Sequence, residues 1–358
     1  MRPIQRQTMA ELTAARLREG LGAGRWSARL PGVAPLAAEF DVAPATVRAA
    51  LRQLEAEGLL DPRGLGRSRS ITAHGLARRP LRVGFLLYDA PHDRNPETAQ
   101  VFDEMQLALE RAGHDVFYYP KSQVELRHQP ERSARHLQET PADAWVVVAG
   151  SRGLLEWCAS QAVPTMALYG RSEGLELART GPDKIPAHLA ATRHLIGLGH
   201  RRIVLIAQRT RRLPVPGNCE AAFLAELAAH GIPTGDYNLP DWVETPEGLH
   251  ELLERLFRST PPTALIVDES MHFIATMHYL LCRNIQVPEQ VSLVSADDAF
   301  LLAWCHPAVA HMQWDAAPII RRVVRWVNAV KKGRADRKTI NFPAVFIPGG
   351  SVGPVAKP

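Results

Sequence analysis

The chain has 358 residues, of which 46% are hydrophobic and 22% charged, with a formal net charge of +5. This is the composition of a globular protein of two or three domains. No apolar run reaches the roughly 18 residues of a membrane span, and the charged N-terminus has no secretory core, so neither a membrane span nor secretion is expected.

The charge is unevenly placed. Residues 1–80 hold 13 arginines, no lysine and 7 acids, a balance of +6, and the remainder is near neutral at −1. A basic module facing nucleic acid, joined to a neutral domain, is the expectation. The four cysteines, Cys158, Cys219, Cys282 and Cys305, form no CxxC pair. A zinc site or disulfide framework has little support, and a reducing cytoplasm fits better.

Three helices and a hairpin are expected in residues 1–75. Ala14, Leu17 and Leu21 form an apolar stripe on the first helix, which Gly22 and Gly24 end. Pro35–Phe40 makes a short second helix, and Asp41-Val42-Ala43 a tight turn. Pro44 suits the first position of a third helix that runs to Glu57 and stops at Gly58. Val47, Leu51 and Leu54 face inward, leaving Pro44, Ala45, Thr46, Arg48 and Arg52 toward solvent or DNA. Two glycines in the basic tip Arg63-Gly64-Leu65-Gly66-Arg67-Ser68-Arg69 read as a β-hairpin wing. Such a helix-turn-helix lays its second helix in the major groove, while a wing tracks adjacent phosphates or the minor groove. DNA contact is therefore expected from Pro44, Ala45, Thr46, Arg48, Arg52, Arg63, Arg67 and Arg69.

This segment resembles the GntR family of winged-helix regulators. The resemblance rests on Leu17-Arg18-Glu19, Gly24, Leu30-Pro31, Leu36-Ala37, Val42, Thr46–Leu51, Leu54–Leu59 and the Gly64–Ser68 wing. The sequence departs from the family where Val33-Ala34 replace an acidic-basic pair and Pro44 replaces a basic residue. The Arg-rich wing is expected to carry more of the binding.

Residues 76–80 read as a linker. From residue 81 to 358, strand-like and helix-like stretches alternate. Strands are expected at 82–88, 116–119, 144–148 and 165–169, then at 203–207, 264–267, 291–295 and 339–347. Helices are expected at 101–112, near 131–139, and at 154–161, 188–198, 219–230, 248–257, 272–284 and 317–332. Two such series imply two lobes with parallel sheets. The fold class is α/β: a winged helix-turn-helix followed by a two-lobed, doubly wound parallel-sheet domain.

This second part resembles the effector domain of LacI-type repressors, itself similar to periplasmic sugar-binding proteins. The match is carried by Leu198-Gly199-His200-Arg201-Arg202-Ile203, Pro262–Ile266 and Val287–Asp298, with Asp183 before a helix. The resemblance implies a small-molecule effector, a carbohydrate by analogy, bound between the lobes at strand C-terminal ends. It also implies a homodimer on a palindromic operator, with repression as the sign. The family's ligand-contacting arginine falls on Cys219 and its Asn-Asp on Glu269-Ser270; only Asp297 keeps its type. A rebuilt pocket would be lined by Arg152, Arg171, Asp268, Asp297 and Trp314.

No enzyme motif competes. GxSxG, Walker, HExxH and strand-following GxGxxG patterns are absent. His272 with His278, and Trp304-Cys305-His306, form no catalytic set, and Lys121, Lys184 and Lys331 lack the setting of a cofactor lysine. No catalytic residue, metal or cofactor is expected.

Overall fold

A computed structural model describes residues 8–22, 25–26, 29–61, 69–72, 80–90, 96–297 and 300–355. Most of the wing, with Arg63 and Arg67, and nearly all of the linker lie outside the described residues.

The head begins with α1 (Met9–Gly22), opened by a reciprocal cap. The Thr8 amide donates to the Glu11 carboxylate at 2.7 Å, and the Glu11 amide donates to Thr8 Oγ1 at 3.2 Å. α2 (Val33–Phe40) ends at Asp41, which turns the chain with φ 51°. α3 (Pro44–Ala56) starts on its proline. Gly58, at φ +70°, reverses the chain: its amide donates to Glu55 O at 3.0 Å and the Leu59 amide to Leu54 O at 2.9 Å. Two carbonyls of the last turn are thereby satisfied. Ala14, Leu17, Leu36, Val47, Leu51 and Leu54 meet in one buried core, closed by Leu30, Leu60 and Ile71. Antiparallel bridges Leu60–Ile71 and Arg29–Ser70 form the base of the hairpin.

The first lobe contains β1 (Arg82–Leu86), α4 (Pro96–Arg111), β2 (Asp115–Tyr118), α5 (Pro130–Glu139), β3 (Ala144–Val148), α6 (Arg152–Ala159), β4 (Thr165–Leu168) and β5 (Ala178–Asp183). The second contains α7 (Ile185–Gly197), β6 (Ile203–Ile206), α8 (Arg209–Arg212), α9 (Asn218–Ala229), α10 (Pro246–Ser259), β7 (Ala264–Val267), α11 (Ser270–Cys282), β8 (Ser292–Ser295), a 3-10 turn (Phe300–Trp304) and β9 (Ala310–Gln313). The chain then returns to the first lobe with α12 (Ala316–Lys331) and β10 (Thr339–Pro343), and closes in the second with β11 (Val345–Ile347).

Among the described residues the sheets run β10-β5-β4-β3-β1-β2 and β11-β9-β8-β7-β6. All pairings are parallel except β11 with β9. Side chains alternate across each sheet. In the first lobe Val83, Phe85, Val146 and Met166 meet α4 and α12, while Trp145, Val147 and Ala167 meet α5 and α6. Gly84 is held to glycine because a Cβ there would enter the Trp145 ring. In the second lobe Leu205 and Ile266 meet α7 and α9, while Val204 and Leu265 meet α10 and α11. Both faces of each sheet are covered, as a doubly wound parallel sheet requires.

The expected single strand at 339–347 is two strands, broken at Ala344 and shared between the sheets. β5 and β9 were not expected. Three crossovers join the lobes, at Lys184, at Trp314-Asp315 and at Ala344. The Ala344 amide donates to Asp183 O at 3.0 Å, tying two crossovers together. Trp314 packs against the cores of both lobes.

Candidate functional site

Two surfaces gather the residues singled out in the sequence. On the head, the i, i+4 spacing of α3 buries Val47, Leu51 and Leu54 and leaves Pro44, Ala45, Arg48 and Arg52 exposed, with Thr46 half-buried. Arg48 and Arg52 make no ion pair or hydrogen bond among the described residues. Other head arginines do. Arg18 forks onto Glu57 with two bonds of 2.8 Å, Arg25 pairs with Glu39 at 2.9 Å, and Arg69 pairs with Glu55. Arg69 thus already has an acid of the recognition helix as its partner, and not all of the basic excess faces outward.

The second surface lies between the lobes, at the C-terminal ends of strands from both sheets. β4 delivers Tyr169 and Arg171, β5 delivers Lys184, β6 leads into Arg211, β7 into Asp268 and Glu269, β8 into Asp297, and β9 into Trp314. Ends of parallel strands leave outward space that side chains from several loops can share.

Two ion-pair groups fill this space. Lys184 Nζ donates to Ala296 O at 3.0 Å and stands 3.4 Å from Asp297 Oδ1. The same carboxylate oxygen accepts from Trp314 Nε1 at 3.5 Å, and the Tyr169 ring meets Trp314 edge-on at 6.4 Å. Deeper in the second lobe, Arg211 pairs with Asp268 and lies 3.3 Å from Glu220. Both acids are buried. Arg171 reaches across from the first lobe and donates to the carbonyls of Thr210, Arg211 and Val215 at 2.9, 3.1 and 2.7 Å. It fastens the segment that carries Arg211.

The electrostatics follow from crowding. Burial, and then the Asp268 and Asp297 charges, push the Glu269 carboxyl up to about 8, against the pull of Lys184 and Arg211. Burial also raises Glu220, opposed by Arg211. Burial, then the Arg211 and Lys184 cations, hold the His188 imidazole far below its ordinary value, so it is neutral. Its ring is fully buried, and neither nitrogen has a hydrogen-bond partner among the described residues.

Of the five expected cleft residues, Asp297 and Trp314 touch each other, while Asp268 and Arg171 join the group through Arg211. Arg152 stands apart on α6, held by Glu156 at 2.6 Å and by Glu173 O. Sequence reading missed Tyr169, Lys184, His188, Arg211, Glu220 and Glu269 as members of one cluster. A signal existed for several, because Lys184, the Arg209–Arg212 run and Glu269 directly follow strand ends. Arg211 also acts on Cys219, so a guanidinium reaches the neighbourhood where the resemblance expects an arginine. Among the described residues no group of three His, Cys, Asp or Glu could hold a metal, and no helix is long and apolar enough to cross a membrane.

Residues 10–64 match the family model of bacterial regulatory proteins, gntR family, and residues 192–352 match the periplasmic binding protein-like domain. The chain is 24% identical over 340 residues to an uncharacterized HTH-type transcriptional regulator in the aml 5′ region of Streptomyces limosus, covering 90% of this chain and 93% of that protein. The structure resembles a complex of the transcriptional regulator CelR with cellobiose, with a TM-score of 0.63 and 18% identity, over 97% of this chain and 100% of that one. It also resembles the lac repressor dimer bound to operator and an anti-inducer, with a TM-score of 0.64 and 14% identity, over 77% of this chain and 95% of that one.

Proposed function

We infer that this chain, a transcription regulator with a gntR-type helix-turn-helix head and a periplasmic-binding-protein-like effector domain, represses from operator DNA and answers to a small sugar-like molecule held between its lobes. The boundaries we assign are residues 1–75 for the head, 76–80 for the linker and 81–358 for the sensor, in a cytoplasmic protein with no enzymatic step of its own. The observation that carries this reading is the pairing of two surfaces in one chain. One is an exposed recognition-helix face with Arg48 and Arg52; the other is a polar cleft that spans two lobes. The cellobiose held by CelR supports a saccharide as the ligand class.

A ligand shifts operator affinity only if it binds the two lobe arrangements unequally, and such coupling amounts to about 1–3 kcal/mol. Electrophoretic mobility shifts on the DNA upstream of the chain's own gene, with a panel of mono- and disaccharides, are expected to show one sugar changing operator affinity about 5- to 150-fold. No change with any sugar would refute the effector reading, and no retention of DNA would refute the regulator.

The expected homodimer has a candidate surface. Met271, Ile274 and Leu281 line the outer face of α11, and Leu301 and Trp304 of the following turn are exposed too, Leu281 at 72% and Trp304 at 78%. Leu302 packs into the same core as Phe273 and Leu280, which places turn and helix on one flank. An apolar flank of this kind suits a second copy. Leu281→Asp is expected to sediment as a monomer at micromolar concentration, where the parent is a dimer; an unaltered dimer would place the interface elsewhere.

A further inference from the structure

We propose that the second lobe carries a further ligand site, at the pole opposite the cleft, for a small phosphate monoester.

The place of the site follows from the winding of the lobe. β6, β7 and β8 run parallel, so Asp268 and Asp297, which follow β7 and β8, mark the cleft end of the sheet. Arg202, Thr263 and Val291 immediately precede β6, β7 and β8 and mark the other end. α10 leads into β7 and α11 into β8, so both helices finish at that far pole. The last turns of the two helices and the strand starts enclose a cavity of about 540 Å³. Small-molecule sites commonly have volumes of about 300–1,000 Å³.

Three guanidinium groups from three elements line this cavity. Arg202 comes from the start of β6, Arg258 from the last turn of α10, and Arg283 from the residue just past α11. The one acid among the lining residues, Glu254, pairs with Arg283. Arg283 also lies over the Tyr279 ring at 4.5 Å, and Arg202 Nε donates to Pro261 O at 2.7 Å. Two of the forks are thus oriented, with N–H groups to spare. Arg258 has no ion pair or hydrogen bond among the described residues. Phe257 and Ile285 add apolar wall beside the cations.

This lining selects an anion with an organic body. Helix C-termini each carry about half a negative charge, and answering them accounts for Arg258 and Arg283. It does not account for Arg202, because a strand start has no comparable dipole. A phosphate monoester carries about 1.5 to 2 negative charges and three terminal oxygens, enough to meet guanidinium forks from three sides. A carboxylate presents two oxygens in one plane and suits a single fork. The apolar wall favours an ester over inorganic phosphate, which has nothing to place against it.

The test is calorimetric titration of the full chain at pH 7.5 with inorganic phosphate, glucose 6-phosphate, AMP, glucose, adenosine and citrate. At least one monoester is expected to bind tenfold or more tightly than its dephosphorylated partner, than inorganic phosphate and than citrate. Arg202→Ala and Arg258→Ala are each expected to weaken that binding tenfold or more. An unmoved melting temperature for Arg258→Ala, whose side chain has no internal partner among the described residues, separates lost binding from lost fold. Four results overturn the proposal. They are no monoester binding at millimolar concentration, citrate binding as tightly as the esters, inorganic phosphate binding as tightly as the esters, and ester binding that survives either substitution, as it would if the ester lodged in the cleft.

Discussion

Leu51→Ala is expected to abolish operator binding while the two-lobed domain stays folded. Leu51 is 1% exposed and packs at the centre of the head, among Leu17, Leu36, Val47 and Leu54. Removing a buried leucine side chain costs about 2–5 kcal/mol, because the cavity left behind closes only in part. A core of this size can rarely spare that much, since small domains bury a smaller share of their surface. At about 4–8 °C per kcal/mol for a domain of this length, the head should melt some 10–30 °C lower. Circular dichroism should then resolve an early helical transition, with the later one unmoved. A single transition at the parent's temperature would mean that the head's stability does not depend on this core.

Arg48→Ala should act at the interface and not on the fold. Arg48 is exposed one turn into α3, outside the buried stripe of Val47 and Leu51, and has no internal partner among the described residues. A side-chain contact to a base edge is worth about 1–3 kcal/mol, so operator affinity should fall about 5- to 150-fold with preference relaxed at one base pair. The melting curve should not move. Arg69 is the contrasting case, because its alanine variant would also strip Glu55 of a partner and so disturb the head itself. Binding titrations on the operator and on single-base variants decide the matter. Parent-like affinity and preference for Arg48→Ala would remove that residue from the contact set.

The contrast between these arginines marks what periodicity can reveal. Spacing along α3 separates the inward Val47, Leu51 and Leu54 from the outward Arg48 and Arg52, and the structure keeps that division. Spacing does not reveal that Arg69 meets Glu55, or that Arg171 spends its guanidinium on carbonyls about 40 positions away. Such partners are chosen by the fold.

The same distinction explains the strands. β3, Ala-Trp-Val-Val-Val, announces itself, whereas β5, Ala-Arg-Thr-Gly-Pro-Asp, contains a glycine and a proline and is a strand because β4 and β10 flank it. β9 has only four residues, too few for an alternation to stand out. Some boundaries were legible and passed over. α10 begins at Pro246, two residues before Gly248, with Thr245 accepting from the Gly248 amide at 3.1 Å, a threonine-proline start of familiar type. In the cleft, Asp268, Asp297 and Trp314 were legible from strand ends and the family resemblance. His188 and Glu220 were not, because they come from helices whose approach to those ends is set by packing.

The interleaved return of the chain imposes an order on its birth. Residues 339–343 pair with residues 179–183, and residues 345–347 pair with residues 311–313. On the ribosome the head emerges early and closes on neighbours drawn from its own first 71 residues. The sensor has to wait, since both of its sheets lack an edge strand until residues 339–347 have been made. A nascent chain thus carries a finished reading head on an unfinished sensor. Messages cut short before those last strands would yield products able to fold the head but not to complete either lobe.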